Sequence, residues 1–145
     1  MNYLLDTPLI SELVRKRPEP RITKWMNDVD EMSCFLSVVT IGEIQKGISR
    51  LDESARKTKL TAWLRQDLRG RFEGRILEIT EDIAITWGRI LGEAERAGEP
   101  APAVDALIAA TACAHNLVIV TRNTAHLHRC GAKTVNPWNQ ANGDQ

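Results

Sequence analysis

The segment from Pro102 to Asn123 constrains the fold of this chain more than any other stretch. Ala103 to about His115 has no helix breaker, and Ala106, Ala109, Ala110, Ala112 and Ala114 leave room for close packing. Leu117 to Val120 follows almost at once and is apolar on every residue. A strand that is apolar on successive residues is covered on both faces, which is the condition of a parallel sheet between helical layers. Asp105 then falls in the first turn of the helix, and Thr121 to Asn123 fall just past the strand. Both ends can face one crevice, outside the carboxyl ends of the strands, where open α/β sheets bind their ligands.

The remaining chain repeats this alternation. Asn2 to Leu5 is a short apolar strand ending at Asp6, and Thr7-Pro8 leads into a short helix over Leu9 to Val14, proline being tolerated at a first helical position. Arg15-Lys16-Arg17-Pro18 forms a basic loop. Ile22, Trp25, Met26 and Val29 recur at helical spacing between Glu19 and Val29. Cys34 to Val39 is a second strand, and Thr40-Ile-Gly-Glu43 has the form of a capping box opening a helix to about Arg50. A helix from about Glu53 to Leu68 carries Leu60, Trp63, Leu64 and Leu68 on one stripe and a basic outer face. Arg75 to Ile79 is a third strand, and Thr80 caps a patterned helix that ends at Gly98. One helical turn over Asn123 to His128 and an edge strand at Lys133 to Val135 complete the pattern. Strands alternating with helices define a three-layer α/β/α sandwich around a mainly parallel sheet of four to five strands. At 145 residues the size is that of one domain, expected over 1–140, with a frayed tail at 141–145.

Composition narrows the setting but not the partner. The chain balances 19 Lys+Arg against 19 Asp+Glu, so a polyanion would have to be met by a local basic rim. Cys34, Cys113 and Cys130 have no CxxC spacing, and two of them lie in apolar runs, as expected of a reducing cytoplasm. No signal peptide and no apolar run of membrane-spanning length is evident. Glycine-rich nucleotide loops and the Gly-x-Ser-x-Gly nucleophile elbow are absent.

Asp6, Glu43 and Asp105 each stand at a strand's carboxyl end or in a helical turn following one. Taken singly, Asp6 reads as a turn acid, Glu43 as a capping-box partner and Asp105 as a helix-dipole complement. Converging at one edge, they would repel and raise one another's pKa values unless a hard dication such as Mg²⁺ or Mn²⁺ intervened. Such an ion leaves room for a phosphate oxygen and an activated water, the apparatus of phosphodiester hydrolysis, with Thr121 and Asn123 placed to hold either. Arg15, Lys16, Arg17 and Arg122 are candidate phosphate contacts. Glu12 reads first as an arginine partner, His126 and His128 as a surface turn, and Trp25, Trp63 and Trp87 as core residues.

With these residues identified, the chain resembles the PIN-domain ribonucleases of the VapC type, the toxin halves of toxin–antitoxin pairs. The resemblance rests on Tyr3-Leu-Leu-Asp6-Thr, Ser11-Glu12-Leu, Leu36-Ser-Val-Val-Thr40-Ile-Gly-Glu43-Ile with Gly47, Val104-Asp105-Ala-Leu-Ile-Ala-Ala-Thr111-Ala, Val120-Thr121-Arg-Asn123-Thr and Asn136-Pro-Trp138, in order and at domain-wide spacing. It implies an α/β/α fold and a Mg²⁺-dependent endoribonuclease acting on structured RNA such as tRNA or rRNA, with Mn²⁺ able to substitute. It also implies a homodimer and a cognate antitoxin that inhibits from the active-site groove. By position, Asp6, Glu43 and Asp105 become the metal-binding acids, with Thr121 and Asn123 beside them. Two positions depart from the family pattern: Pro8 stands where Asn or Ser is usual, and His126 where an acid is usual. A second reading therefore stays open, a catalytically weak or inactive module that binds RNA or an antitoxin.

Overall fold

The structure is a computed structural model that describes residues 1–139; the tail expected to fray, 141–145, lies outside them. The first strand, β1 (Tyr3–Leu5), runs into α1 (Thr7–Glu12), whose N-cap is Asp6 and whose first turn holds Pro8 without losing a helical hydrogen bond. Helix α2 (Pro20–Asp28) and a 3₁₀ turn at Glu31–Ser33 lead to β2 (Cys34–Ser37) and α3 (Val38–Ser49). Helix α4 (Ala55–Ala62) continues through a π-helical segment, Trp63–Leu68, into α5 (Arg69–Arg71). Strand β3 (Ile76–Leu77) precedes the long α6 (Glu81–Arg96). The segment singled out first is α7 (Ala103–His115) followed by β4 (Val118–Val120), and α8 (Thr124–Arg129), β5 (Lys133–Val135) and a 3₁₀ turn at Pro137–Asn139 close the domain.

The five strands lie in the order β3-β2-β1-β4-β5, and every neighbouring pair is parallel. Successive residues of a strand point to opposite faces, and the packing divides accordingly. Leu5, Leu36 and Val120 join Leu9, Ile22, Ile48, Leu64 and Phe72 under the helices of the first half. Leu4 and Ile119 join Ile108, Ala109, Ala112 and Leu127 under α7 and α8. Helix α6 lies outside α7, contributing Ile83 and Ile90 to a core with Ala106 and Ala110. The expected sandwich with its five-stranded parallel sheet is therefore present.

Three local differences have physical causes. The second strand ends at Ser37, whose hydroxyl accepts from the Val39 amide, so α3 begins two residues before Thr40. Thr40 is consequently an interior, fully buried helical residue and no N-cap, which removes the capping-box explanation of Glu43. The helix after Ser54 outlasts Leu68, because the π segment adjusts the register that keeps Leu64 and Leu68 buried along with Phe72. Cys113 is exposed, unlike the small buried hydrophobe its apolar run predicts, since the neighbouring alanines take the sheet-facing side of α7.

Candidate active site

The strand order reverses between β1 and β4: from β1 the chain builds outward to β2 and β3, and from β4 outward to β5. At such a reversal the helices leave in opposite directions and a crevice opens above the carboxyl ends. Asp6 is the residue after β1, and its amide donates to Val120 O at 3.1 Å, continuing the ladder to the last position. Thr121 is the residue after β4, and its amide donates to Val135 O at 3.0 Å. The Thr121 hydroxyl donates to Asp6 Oδ2 at 2.7 Å, so one short bond spans the reversal. Both residues are buried.

The other acid from the first half reaches this point through Thr7. The Thr7 amide donates to Asp6 Oδ1 at 2.9 Å, and its hydroxyl donates to Glu43 Oε1 at 2.5 Å. A weaker contact of 3.4 Å joins the hydroxyls of Thr7 and Thr40. Glu43 thus projects from the second turn of α3 onto the residue beside Asp6. Asp105 comes from the far half, in the first turn of α7, and its Oδ2 lies 3.4 Å from His126 Nδ1 of α8.

The electrostatics tie the acids together. Burial pushes the Asp6 carboxyl above the usual carboxylate range; the bonds from Thr121 and Thr7 oppose the shift, and the Glu43 and Asp105 carboxylates add to it. Among the described residues no Lys or Arg is ion-paired with Asp6, Glu43 or Asp105. Nor are any three His, Cys, Asp or Glu among them already gathered around one point as an ion cage. The reason is visible in the bonding: Asp6 and Glu43 spend oxygens on threonine donors, and Asp105 turns toward His126. The donor set is nevertheless all hard oxygen on the Asp6 side, with mutually repelling carboxylates and no resident cationic side chain. That chemistry fits a small dication that brings its own water ligands.

The remaining candidates separate. Asn123 is exposed, and its amide donates to Thr121 Oγ1 at 3.0 Å, so its backbone helps hold the Thr121 hydroxyl. Arg15, Lys16 and Arg17 are exposed on the loop after α1, and Arg15 pairs with Glu12 at 2.9 Å. Glu12 is buried and accepts the Glu19 amide at 2.9 Å, which accounts for it as a brace between α1 and α2. Arg122, also exposed, has its guanidinium over the Trp138 ring, 5.0 Å from the centroid. Two features were not legible in the sequence. His126 touches Asp105 although it reads as a turn residue, and the signal available was its place where an acid is usual. Arg75, taken as a strand residue, is a buried cation whose guanidinium donates to Glu31 O, Cys34 O and Arg71 O at 2.6–2.7 Å and lies over Phe72.

Comparison with known proteins gives a consistent picture. The PIN domain family matches residues 3–132. Toxin FitB of Neisseria gonorrhoeae is 34% identical over 135 residues, which is 93% of this chain and 97% of that protein. VapC ribonuclease Y4jK of Sinorhizobium fredii is 28% identical over 95% of this chain and 99% of its own length. Among solved structures, FitAB bound to an IR36 DNA fragment superposes with a TM-score of 0.88 at 31% identity, covering 98% of this chain and 99% of the other.

Proposed function

Because this chain belongs to the PIN domain family, we propose that it is a metal-dependent endoribonuclease acting as the toxin of a toxin–antitoxin pair. The observation that carries the reading is the bond from Thr121 to Asp6 across the β1/β4 reversal, with the carboxylates of Glu43 and Asp105 bearing on the same group. Asp6, Glu43 and Asp105 would hold the ion, Mg²⁺ or Mn²⁺ in its place. When bound, it supplies positive charge to the phosphate and acidifies a coordinated water.

The chain's own groups do the rest. Asp6 is held by two donors so that it presents a fixed acceptor edge to the crevice. Thr121 and the Asn123 amide keep that edge from rotating, and Thr7 sets the rotamer of Glu43. Arg15, Lys16, Arg17 and Arg122 supply a local basic rim for the phosphates of a structured RNA such as tRNA or rRNA, in a chain whose charge is otherwise balanced. The similarity to Toxin FitB and to FitAB supports a cognate antitoxin as the protein partner in a hetero-oligomer; a homodimer of this chain is the alternative assembly.

The test is cleavage of total RNA with Mg²⁺ or Mn²⁺ by the wild type and by Asp6→Asn, Glu43→Gln and Asp105→Asn. The expected result is a loss of roughly 100-fold or more in each variant, the scale of losing a metal's support. Equal activity in all four overturns the reading. The contact of His126 with Asp105 favours a second reading, a module that binds RNA or antitoxin without cutting. Wild-type protein that binds RNA without any divalent ion and never cleaves it would establish that instead.

A further inference from the structure

One cation at the carboxyl edge is fixed in a way that the others are not. The Arg122 guanidinium lies 5.0 Å from the centroid of the Trp138 ring. Trp138 is 5% exposed and packs in the core that holds Leu5, Leu36 and Val120. Its amide donates to Asn136 Oδ1 at 2.9 Å, which fixes the turn at Pro137–Asn139. At the other end of the arginine, the preceding residue is Thr121, anchored by its amide to Val135 and by its hydroxyl to Asp6. The backbone of Arg122 is thus tied to the candidate site through Thr121, and its head group lies over the buried Trp138 ring of the closing turn.

The charge is nevertheless unspent. Arg122 is exposed and makes no ion pair among the described residues, whereas Arg15 is paired with Glu12. The carboxylate its field reaches, Glu19, is already bonded to Arg21 at 2.7 Å. A guanidinium that lies over a ring and makes no ion pair keeps N–H groups for a ligand, and these match a phosphate bidentately. An arginine held over a ring also loses less rotamer freedom on binding than a loose one, which favours affinity without a new contact.

Resting on the ribonuclease reading above, we infer that Trp138 is a positioning residue that holds Arg122 as a pre-set contact for an RNA phosphate beside the Asp6–Thr121 end of the crevice. Arg15, Lys16 and Arg17 lie on a loop without such a platform and contribute general attraction.

The test is binding of bulk tRNA to the full chain in EDTA, over a salt series, with cleavage of the same tRNA in Mg²⁺ measured alongside. Arg122→Ala should weaken binding by about 10-fold and lower the slope of log affinity against log salt by about one. Trp138→Leu should weaken it by ~3-fold, the worth of a cation–π contact, and should add nothing in the Arg122→Ala background. Arg122→Lys, which leaves the core untouched if Trp138→Leu fails to fold, should keep the salt slope and still lose ~3-fold. Unchanged binding in Arg122→Ala, equal affinity of Lys and Arg at 122, or an equal loss from Trp138→Leu with and without Arg122 each overturns the inference while leaving the nuclease reading intact. Wild-type protein that neither binds tRNA nor cleaves total RNA overturns the nuclease reading, and the inference falls with it.

Discussion

At the scale of single residues, Asp6 shows how a candidate metal-binding carboxylate is held at a thermodynamic disadvantage. Burial outweighs the two hydrogen bonds that favour its charged form, and Glu43 and Asp105 add repulsion. Its pKa is therefore higher folded than unfolded. Between the two values the native state keeps a proton that the unfolded state has lost, so the stability linked to Asp6 is full below the unfolded pKa and falls as pH rises through the folded one. Asp6→Asn should accordingly melt higher than wild type at pH 7 in EDTA, by about 1 kcal/mol or ~3 °C. The difference should shrink as pH falls through the raised folded pKa, where the wild-type carboxyl takes up its own proton. Thermal melts at pH 7 and below that pKa check the sign. Residue chemistry of this kind was partly legible in the sequence: Asp6, Glu43 and Asp105 stood out by their places after strands. His126 did not, because contact with Asp105 depends on how α8 turns against α7, and no spacing along the chain encodes that.

At the scale of elements, α7 is the arm that delivers Asp105, and its alanines explain how. Ala106, Ala109, Ala110 and Ala112 are all buried, with Ala109 and Ala112 against the sheet and Ala106 and Ala110 against α6. A helix packed on two sides must be narrow, and alanine makes it so. Ala109→Leu should overpack this layer and cost about 1–3 kcal/mol, read as a lower urea midpoint at unchanged m-value. The helix stops at Asn116, whose φ of 55° and ψ of 49° are the left-handed conformation that Asn tolerates better than most residues. Here the sequence was a good guide, since alanine content and an apolar run report local geometry directly. It misplaced the start of α3, because Ser37 and Thr40 are both competent caps and the choice falls to whichever leaves Val38 and Val39 in the better environment. It also missed the π segment at Trp63–Leu68, which follows from the tertiary need to keep Leu64 and Leu68 inward.

For the molecule as a whole, the two halves of the chain meet where Thr121 bonds to Asp6, so a dication held by Asp6 together with Asp105 would couple them. Mn²⁺ at about 100 times its Kd should raise stability by about 2.7 kcal/mol if the folded state alone binds it. The shift should appear as a higher Tm, be reversed by EDTA, and be absent in Asp6→Asn and Asp105→Asn. Failure of Mn²⁺ to move the wild-type Tm would count against the proposed ion site even if RNA were cleaved. Among the described residues no helix is long and apolar enough to cross a membrane. What the sequence determined by itself was the alternation of strands and helices, the two-sided burial of the strands and the identity of the acids that follow them, because these depend on periodicity and on neighbours a few positions away. The tertiary structure alone decided that β1 lies beside β4, that Thr121 bonds to Asp6, that His126 faces Asp105 and that Trp138 lies under Arg122. Those are pairings across long sequence separations, selected by how complete side-chain surfaces fit together once the sheet has formed.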